Sequence, residues 1–191
     1  MKVIISHKIR YNAMRLAKKG APHSKSSLQY KLPKDIADDI LNWSMNNVPE
    51  EELYTEEEDM GREDDIHVTV FYGILDEDSK DTANVLEEHN IKPFPVRLST
   101  ITAFQNKPEY DVLKVDVESS ELHKIHRLIE KYLDTESTYP EYKPHLTIAY
   151  LKKGYADKYT GRNDFQGISM IAESLEFSSK NGTKTNIDLK K

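Results

Sequence analysis

Apolar and polar residues alternate in short runs along the first half of the chain, and a helical pattern separates two of these runs. Residues 28–32 alternate and predict a strand, and Pro33 suits the start of a helix. From Asp35 to Asn47 the apolar residues fall on one helical face. The run from Ile66 to Tyr72 is β-branched and aromatic, which predicts a strand that Gly73 closes.

Further elements are predicted along the rest of the chain. A helix is predicted from Ser79 to about His89, with Ser79 as its N-cap, and a strand from Val96 to Phe104. Residues 112–117 alternate strictly, and a helical stripe of apolar residues runs from Leu122 to Leu133. The remaining predicted strands begin at His145 and lie near 171–178 and 183–189, around the hairpin-turn pair Asn181-Gly182.

The two halves of this pattern match each other. Each has a strand, a helix, a polar loop and a strand that begins His-x-Thr, at His67 and at His145. An internal duplication, with repeats over roughly 26–104 and 110–191, is the simplest explanation. We therefore predict an α+β fold, in which two antiparallel sheets face each other about a pseudo-twofold axis, with helices outside and a groove between.

The composition fits one folded domain, which we place at residues 26–191. Charged residues make up 31% of the 191 residues and apolar residues 37%, enough for a core. The absence of cysteine excludes disulfides, thiolate nucleophiles and Cys-ligated metal centres, and it fits a reducing cytoplasm. We expect no membrane partner, because no apolar run is long enough for a membrane span or a signal peptide.

Charge is distributed unevenly along the chain. Residues 1–34 contain nine Lys or Arg and no acid, whereas 50–65 contain ten acids and one Arg. Residues 1–25 are interpreted as a basic extension, with a short helix favoured at 10–19; a tail, a lid over an anionic ligand and a transit peptide are the alternatives. Since the overall charge is −6, the chain after residue 34 carries −15, and no duplex DNA partner is expected. The acidic stretch is interpreted as a solvated loop.

The two His-x-Thr motifs carry the predicted chemistry. Strand alternation places His67 with Thr69, and His145 with Thr147, on the face that lines the groove. One imidazole can take a proton from a nucleophilic hydroxyl while the other gives one to the leaving oxygen. The threonine hydroxyls can donate to phosphate oxygens. These four residues predict phosphodiester cleavage without metal or cofactor; the alternative is that each histidine is an ordinary strand residue.

The paired motifs resemble the signature of the 2H phosphoesterases, whose members have two His-x-Thr/Ser motifs on a bilobal α/β fold. The resemblance covers roughly residues 26–189. Members include RNA 2′,3′-cyclic phosphodiesterases and 2′–5′ RNA ligase-like proteins. The stretches EEDMGREDDIHVTVFYG at 57–73 and YPEYKPHLTIAY at 139–150 look like phage anti-CBASS nucleases, which destroy cyclic oligonucleotide signals of bacterial immunity. This likeness implies a 3′–5′ linked cyclic di- or trinucleotide substrate in a host cytoplasm.

Other functions stay open beside this one. One is RNA end processing on short RNA, as a 2′,3′-cyclic phosphodiesterase or a 2′–5′ RNA ligase-like enzyme. Another is a sponge, which binds a cyclic nucleotide without cutting it. Two complete motifs argue against the sponge, because binding alone does not need two proton-transfer groups. A small ligand with two or three phosphates needs local donors, which an acidic body can supply.

Candidate residues for holding the bases are Tyr30, Phe104 and Glu173. Phe104 ends a strand at a turn, where an aromatic ring can line a groove rim. Alternation favours the core for Tyr30 and for Tyr150. Glu173 shares its face with apolar residues, so it either contacts a base or a histidine, or lies at a strand end.

His123 and His126 have the helical i,i+3 spacing of metal ligands, but no paired acidic ligand spacing accompanies them. No metal site is therefore predicted.

Overall fold

The computed structural model describes residues 24–57, 60–136 and 141–190. Its strands are β1 (Ser26–Lys31), β2 (His67–Ile74), β3 (Phe94–Phe104), β4 (Tyr110–Glu118), β5 (His145–Lys152), β6 (Ser169–Ala172), β7 (Ser174–Ser178) and β8 (Lys184–Asp188). Its helices are α1 (Lys34–Asn47), α2 (Lys80–Glu88) and α3 (Ser120–Tyr132), with a 3₁₀ turn at Glu50–Glu52. The helix favoured at 10–19 lies outside the described residues.

The eight strands of the described residues form one antiparallel sheet in the order β6-β3-β4-β5-β2-β1-β7-β8. The order is symmetric about the junction of β5 and β2, where Val68 and Leu146 are partners. On either side of this junction lie the matching units β1-α1-β2 and β4-α3-β5. The α+β class and the two related halves are thus confirmed, and the halves join edge to edge through these two strands.

Each half of the sheet takes strands from both of the predicted repeats. β3 pairs with β4 and β6, while β7 and β8 extend the sheet beyond β1. The single strand predicted near 171–178 is wrong, because Glu173 divides it into β6 and β7. One residue spans at most about 3.6 Å of extended chain. β6 and β7 are the first and seventh strands of the sheet order, but only Glu173 separates them along the chain. They must therefore lie close together, so the sheet curls.

The two His-x-Thr strands each contain a β-bulge at the same position. The pairing of β2 with β1 skips Val70, and the pairing of β5 with β4 skips Ile148. A bulge adds one residue and reverses the alternation of side chains beyond it. Tyr72 and Tyr150 therefore lie on the same face as the motif histidines. The core assignment of Tyr150, which came from strict alternation, is wrong for this reason.

The opposite face of the sheet carries the core. It includes Val68, Leu146 and Val115, all fully buried, and the helix α3 packs against it. The apolar stripe predicted for α3 is confirmed, because Leu122, Ile125 and Ile129 are fully buried. Along the described residues, no helix is long and apolar enough to cross a membrane. The polar face that carries the motifs is left away from the helices.

The acidic connector between α1 and β2 is more than a solvated loop, and that interpretation is wrong for much of it. Tyr54 N donates to Tyr150 O at 2.9 Å, and Glu63 N donates to Ile148 O at 3.0 Å. The connector thus pairs with β5 beyond the Val68–Leu146 junction. Glu52 is only 6% exposed and accepts a hydrogen bond from the Tyr159 hydroxyl at 2.7 Å.

Arg62 fastens this connector to the end of α1. Its guanidinium donates to the carbonyl oxygens of Ser44 at 2.6 Å and Val48 at 2.9 Å. It also donates to Glu50 Oε1 at 2.8 Å. Ser44 O also accepts the capping hydrogen bond from Val48 N at 2.9 Å, and a cation is favourable at a helix C-terminus. Arg62, which lies in the acidic sequence before the first motif, therefore has a structural role.

Candidate active site

The structure brings the four motif residues together. His67 begins β2 and His145 begins β5, and the antiparallel partners Val68 and Leu146 follow them directly. Thr69 and Thr147 come two residues later. All four motif side chains are half-buried on one face of the sheet, which we call the groove face.

Both imidazoles are held by the same hydrogen bond. His67 Nδ1 lies 2.6 Å from Asp65 O, and His145 Nδ1 lies 2.6 Å from Lys143 O. A carbonyl oxygen can only accept, so Nδ1 carries the proton in each ring. Nε2 is then the atom through which either ring can take or give a proton. The bond also fixes the orientation of each ring.

Both histidines are held in the neutral form. Burial lowers the pKa of His67 to about 4, and the Lys31 ammonium acts in the same direction. Burial also lowers the pKa of His145, together with the positive charge of Lys114, while Asp116 opposes the shift. The free protein therefore has two neutral imidazoles at neutral pH, and an anion between them would favour protonation of one.

A charge network lies beside His67. Lys31 is the direct cross-strand partner of His67, and its Nζ lies 2.7 Å from Asp65 Oδ2. Lys184 Nζ lies 2.7 Å from the same oxygen, and Glu176 Oε1 lies 3.6 Å from both ammonium groups. Burial opposes ionisation of Asp65, but the two lysines hold its pKa well below its usual range.

A buried lysine also lies beside the second motif, although there the cross-strand partner of the histidine is Asp116. Lys114 is the cross-strand partner of Thr147 and is 4% exposed. Its ammonium donates to Thr102 Oγ1 at 2.6 Å and to Asp116. Sequence reasoning missed Lys114 as a site residue. The strict alternation of 112–117 was the available signal, because it places Lys114 opposite the apolar positions.

The structure places the three predicted base-contacting residues in three different environments. Phe104 lies at the site, with its ring edge-on to His145 at 4.9 Å between centroids and 4.4 Å from Lys114 Nζ. Tyr30 is 3% exposed and lies in the core, so it cannot stack on a base. Glu173 is exposed between β6 and β7, at a strand end, and the structure does not bring it to the histidines.

An aromatic cluster supports β2 from behind. The Tyr142 ring stacks on His126 at 4.2 Å, and His126 Nδ1 donates to Val70 O at 2.8 Å. His123 contacts the edge of the same tyrosine at 5.3 Å. The two helical histidines therefore serve packing and backbone support. Over the ranges that the structure describes, no group of three or more His, Asp or Glu is placed to hold a metal.

Solved structures share this fold at low sequence identity. TT0787 of Thermus thermophilus has a TM-score of 0.60 and 15% identity, over 86% of this chain and 97% of its own. E. coli LigT, complexed with NADP+, has a TM-score of 0.58 and 16% identity, over 87% and 95%. Kluyveromyces marxianus Usb1, with uridine monophosphate, has a TM-score of 0.53 and 14% identity, over 86% and 97%. These likenesses establish the fold.

Sequence comparison supplies the family. No curated protein matches the chain at a significant level. The model of the 2′-5′ RNA ligase superfamily matches residues 51–165, a span that contains both His-x-Thr motifs and most of the connector. Because this match covers more than half of the chain, the protein belongs to the 2′-5′ RNA ligase superfamily, which confirms the 2H phosphoesterase resemblance.

Proposed function

We propose that this protein is a metal-independent phosphodiesterase that cleaves 3′–5′ linked cyclic oligonucleotides, with His67 and His145 as its proton carriers. One observation carries the proposal. The two imidazoles lie on adjacent strands and one face, and each is held through Nδ1 by a carbonyl two residues upstream. An ordinary strand histidine needs no such matched partner, whereas acid–base catalysis needs two oriented rings.

The proposed reaction begins with the ribose 2′-hydroxyl next to the scissile phosphate. One imidazole takes the 2′-hydroxyl proton at Nε2 while O2′ bonds to phosphorus. The P–O5′ bond breaks, and the second imidazole gives its Nε2 proton to O5′. The products are a 2′,3′-cyclic phosphate and a 5′-hydroxyl. Water attack with the two roles exchanged then gives a 3′-phosphate.

Hydroxyl and ammonium groups of the groove face would stabilise the charge that gathers on phosphorus. Thr69 and Thr147 follow the histidines on the same face and can donate to non-bridging oxygens. Lys114 sets a buried positive charge directly across from Thr147. These local donors suit a small ligand with few phosphates, which fits a chain that carries a net charge of −15 after residue 34.

A second candidate is RNA end processing, and the family match favours it. The superfamily description names 2′-5′ RNA ligases. E. coli LigT has also been solved with 3′-AMP and Usb1 with uridine monophosphate. In this reading the substrate is the terminal 2′,3′-cyclic phosphate of an RNA. The same two histidines would then open that ring with water.

The test is a cleavage panel with the full chain in excess EDTA, because the proposed chemistry uses no metal. The panel contains 3′–5′ and 2′–5′ cyclic di- and trinucleotides, a deoxyribose cyclic dinucleotide, and RNA ending in a 2′,3′-cyclic phosphate. We expect the 3′–5′ ribose rings to be linearised and the deoxyribose ring to survive. His67→Ala is the matched inactive control.

Three other outcomes of this panel would contradict the proposed function or its mechanism. Turnover of the RNA ends alone favours the second candidate. Recovery of unchanged cyclic ligand from the denatured complex favours a sponge. Loss of most turnover in EDTA, restored by one divalent ion, contradicts the proton-transfer mechanism.

A further inference from the structure

A tyrosine stands five residues after each motif histidine. The two strands read HVTVFY, ending at Tyr72, and HLTIAY, ending at Tyr150. Simple alternation would bury both tyrosines, because an odd spacing puts them on the face opposite the histidine. The structure has both on the groove face. Both strands therefore depart from alternation in the same way.

The matching bulges produce this placement. Tyr72 is paired with Ser27, and Thr69 with Gln29; the two partners on β1 are two residues apart and so share a face. Tyr150 is paired with Val112, and Thr147 with Lys114, which again share a face on β4. The rings of Tyr72 and Tyr150 are half-exposed, although each follows two fully or nearly fully buried residues. Both halves thus present one tyrosine to the groove.

The tyrosines lie at opposite ends of the groove. β2 and β5 run antiparallel from their shared partners Val68 and Leu146, so each tyrosine lies four residues beyond that pair in the opposite direction. At about 3.3 Å per residue, and with one residue lost to each bulge, each lies roughly 10 Å from the centre. The two histidines lie between them.

We infer that Tyr72 and Tyr150 bind the two nucleosides on either side of the scissile phosphate, one tyrosine for each base. The inference rests on the proposed function and narrows its substrate class. A phosphate held between the histidines has a sugar on each side, and an aromatic ring can stack on any base. The fitting substrate is therefore a diester that joins two nucleosides, as in a cyclic oligonucleotide. A terminal 2′,3′-cyclic phosphate would occupy one end only.

The two ends differ in their surroundings. The Tyr150 ring has Tyr110 edge-on at 5.8 Å, and Tyr110 in turn has Tyr54 at 5.1 Å. Such contacts fix the ring before the ligand binds, so binding costs little further side-chain entropy. The Tyr72 hydroxyl instead lies 2.8 Å from Ser24 Oγ. We therefore expect the base at the Tyr150 end to be the more tightly held.

The first measurement adds a 3′–5′ dinucleoside monophosphate to the cleavage panel and gives its kcat/KM for Tyr72→Ala and Tyr150→Ala. Base stacking on an aromatic ring corresponds to a loss of about 10- to 100-fold per ring removed. Tyr→Phe at each position should stay within a fewfold of the wild type, because the ring is kept. Tyr155→Ala is the control, since Tyr155 is 45% exposed and lies after the end of β5.

The second measurement pairs each variant with an abasic substrate that lacks the base on one side of the phosphate. Removal of the base that Tyr72 contacts should make Tyr72→Ala nearly silent, while Tyr150→Ala keeps its full effect. The other abasic substrate should reverse this pattern. Circular dichroism establishes that each variant is folded.

Failure of the inference differs from failure of the proposed function. If the wild type cleaves the dinucleotide and both alanine variants remain within about twofold of it, the tyrosines do not bind the bases. The same holds if neither abasic substrate silences either variant. If the wild type cleaves no internal diester in any arm of the panel, the proposed function itself is wrong.

Discussion

Tyr142 donates a hydrogen bond from its hydroxyl to the backbone carbonyl of Thr69, at 3.1 Å and across 73 residues of sequence. Tyr142 precedes His145 by three residues, and Thr69 belongs to the other motif. The bond therefore links the loop that enters the second motif to the strand of the first. The two histidines are held relative to each other by this contact as well as by the β2–β5 junction.

Tyr142→Phe should weaken this link without removing the ring stacked on His126. A hydrogen bond of this kind contributes about 0.5–1.5 kcal/mol to the free energy of unfolding. We expect that loss in urea denaturation and a severalfold slower single turnover. Tyr155→Phe, at an exposed position, is the control. Unchanged stability and rate would mean that the bond positions nothing.

His67→Ala and His145→Ala should each abolish most turnover while ligand binding stays measurable. Each variant removes a proton carrier, and general acid–base transfer contributes about 10² to 10⁴-fold. The double variant should be hardly slower than either single one, because the two rings act as a unit. The measurement is single-turnover cleavage with folded protein. A folded single variant that cuts near the wild-type rate would refute the two-histidine mechanism.

Thr69→Val and Thr147→Val keep the β-branched shape and remove the hydroxyl. An oxyanion donor in a closed site contributes roughly 3–4 kcal/mol to catalysis. The two hydroxyls are half-buried, so we expect a smaller but clear fall in kcat. Thr183→Val, at an exposed turn, is the control. Equal rates for all three variants would remove the threonines from the proposed mechanism.

The pH profile of kcat/KM should be bell-shaped, with its maximum on the acid side of 6.5. Burial lowers the pKa of His67 to about 4, and the pKa of His145 also lies below the ordinary 6.5. His67 is the stronger candidate for the base, because it stays neutral to lower pH. Activity should then fall as pH drops through about 4, where His67 gains a proton. It should fall again as pH rises through the pKa of His145, where the acid loses its proton.

Proton NMR of the imidazole C–H signals can assign these two limbs to the two rings. A rate that rises steadily from acid to alkaline pH would contradict paired acid–base roles.

Arg62→Ala should destabilise the protein while leaving the chemistry of the folded fraction intact. The Arg62 side chain is 6% exposed and binds two carbonyls at the end of α1. Val48 O and Ser44 Oγ would lose their Arg62 donor, whereas Ser44 O keeps its bond from Val48 N. Unpaired buried groups cost about 1–3 kcal/mol each, so a loss of roughly 2–4 kcal/mol in unfolding free energy is expected. Arg127→Ala, on the exposed side of α3, is the control. A stable but inactive variant would point to a direct role of Arg62 in the site.

Local periodicity was enough to predict most elements of the fold. The helices α1 and α3 follow from apolar stripes, and the strands β2 and β5 from β-branched runs. The motif histidines and threonines could be placed on one face for the same reason. All of these features depend on residues close together in sequence, where side-chain spacing decides which face is buried.

Features that depend on distant partners could not be predicted. The bulges at Val70 and Ile148 arise from pairing with β1 and β4, so alternation alone misplaced Tyr150. Glu52 is charged and still buried, because Lys158 and Tyr159 of a remote segment compensate it. The pairing of β1 with β7 and of β3 with β4 likewise has no local signal, because it depends on which strand edges meet in the folded sheet.

The pairing of β1 with the distant strand β7 also sets when this protein can fold during its synthesis. β1 pairs with β7, and the Ser26 hydroxyl accepts a hydrogen bond from Lys180 N, 154 residues further along the chain. Until β7 leaves the ribosome, β1 exposes an unpaired edge in the nascent polypeptide. Such edges recruit other strands, and closure over so long a loop is slow. Translation of β7 and β8 is therefore the event that completes the half of the sheet bearing His67.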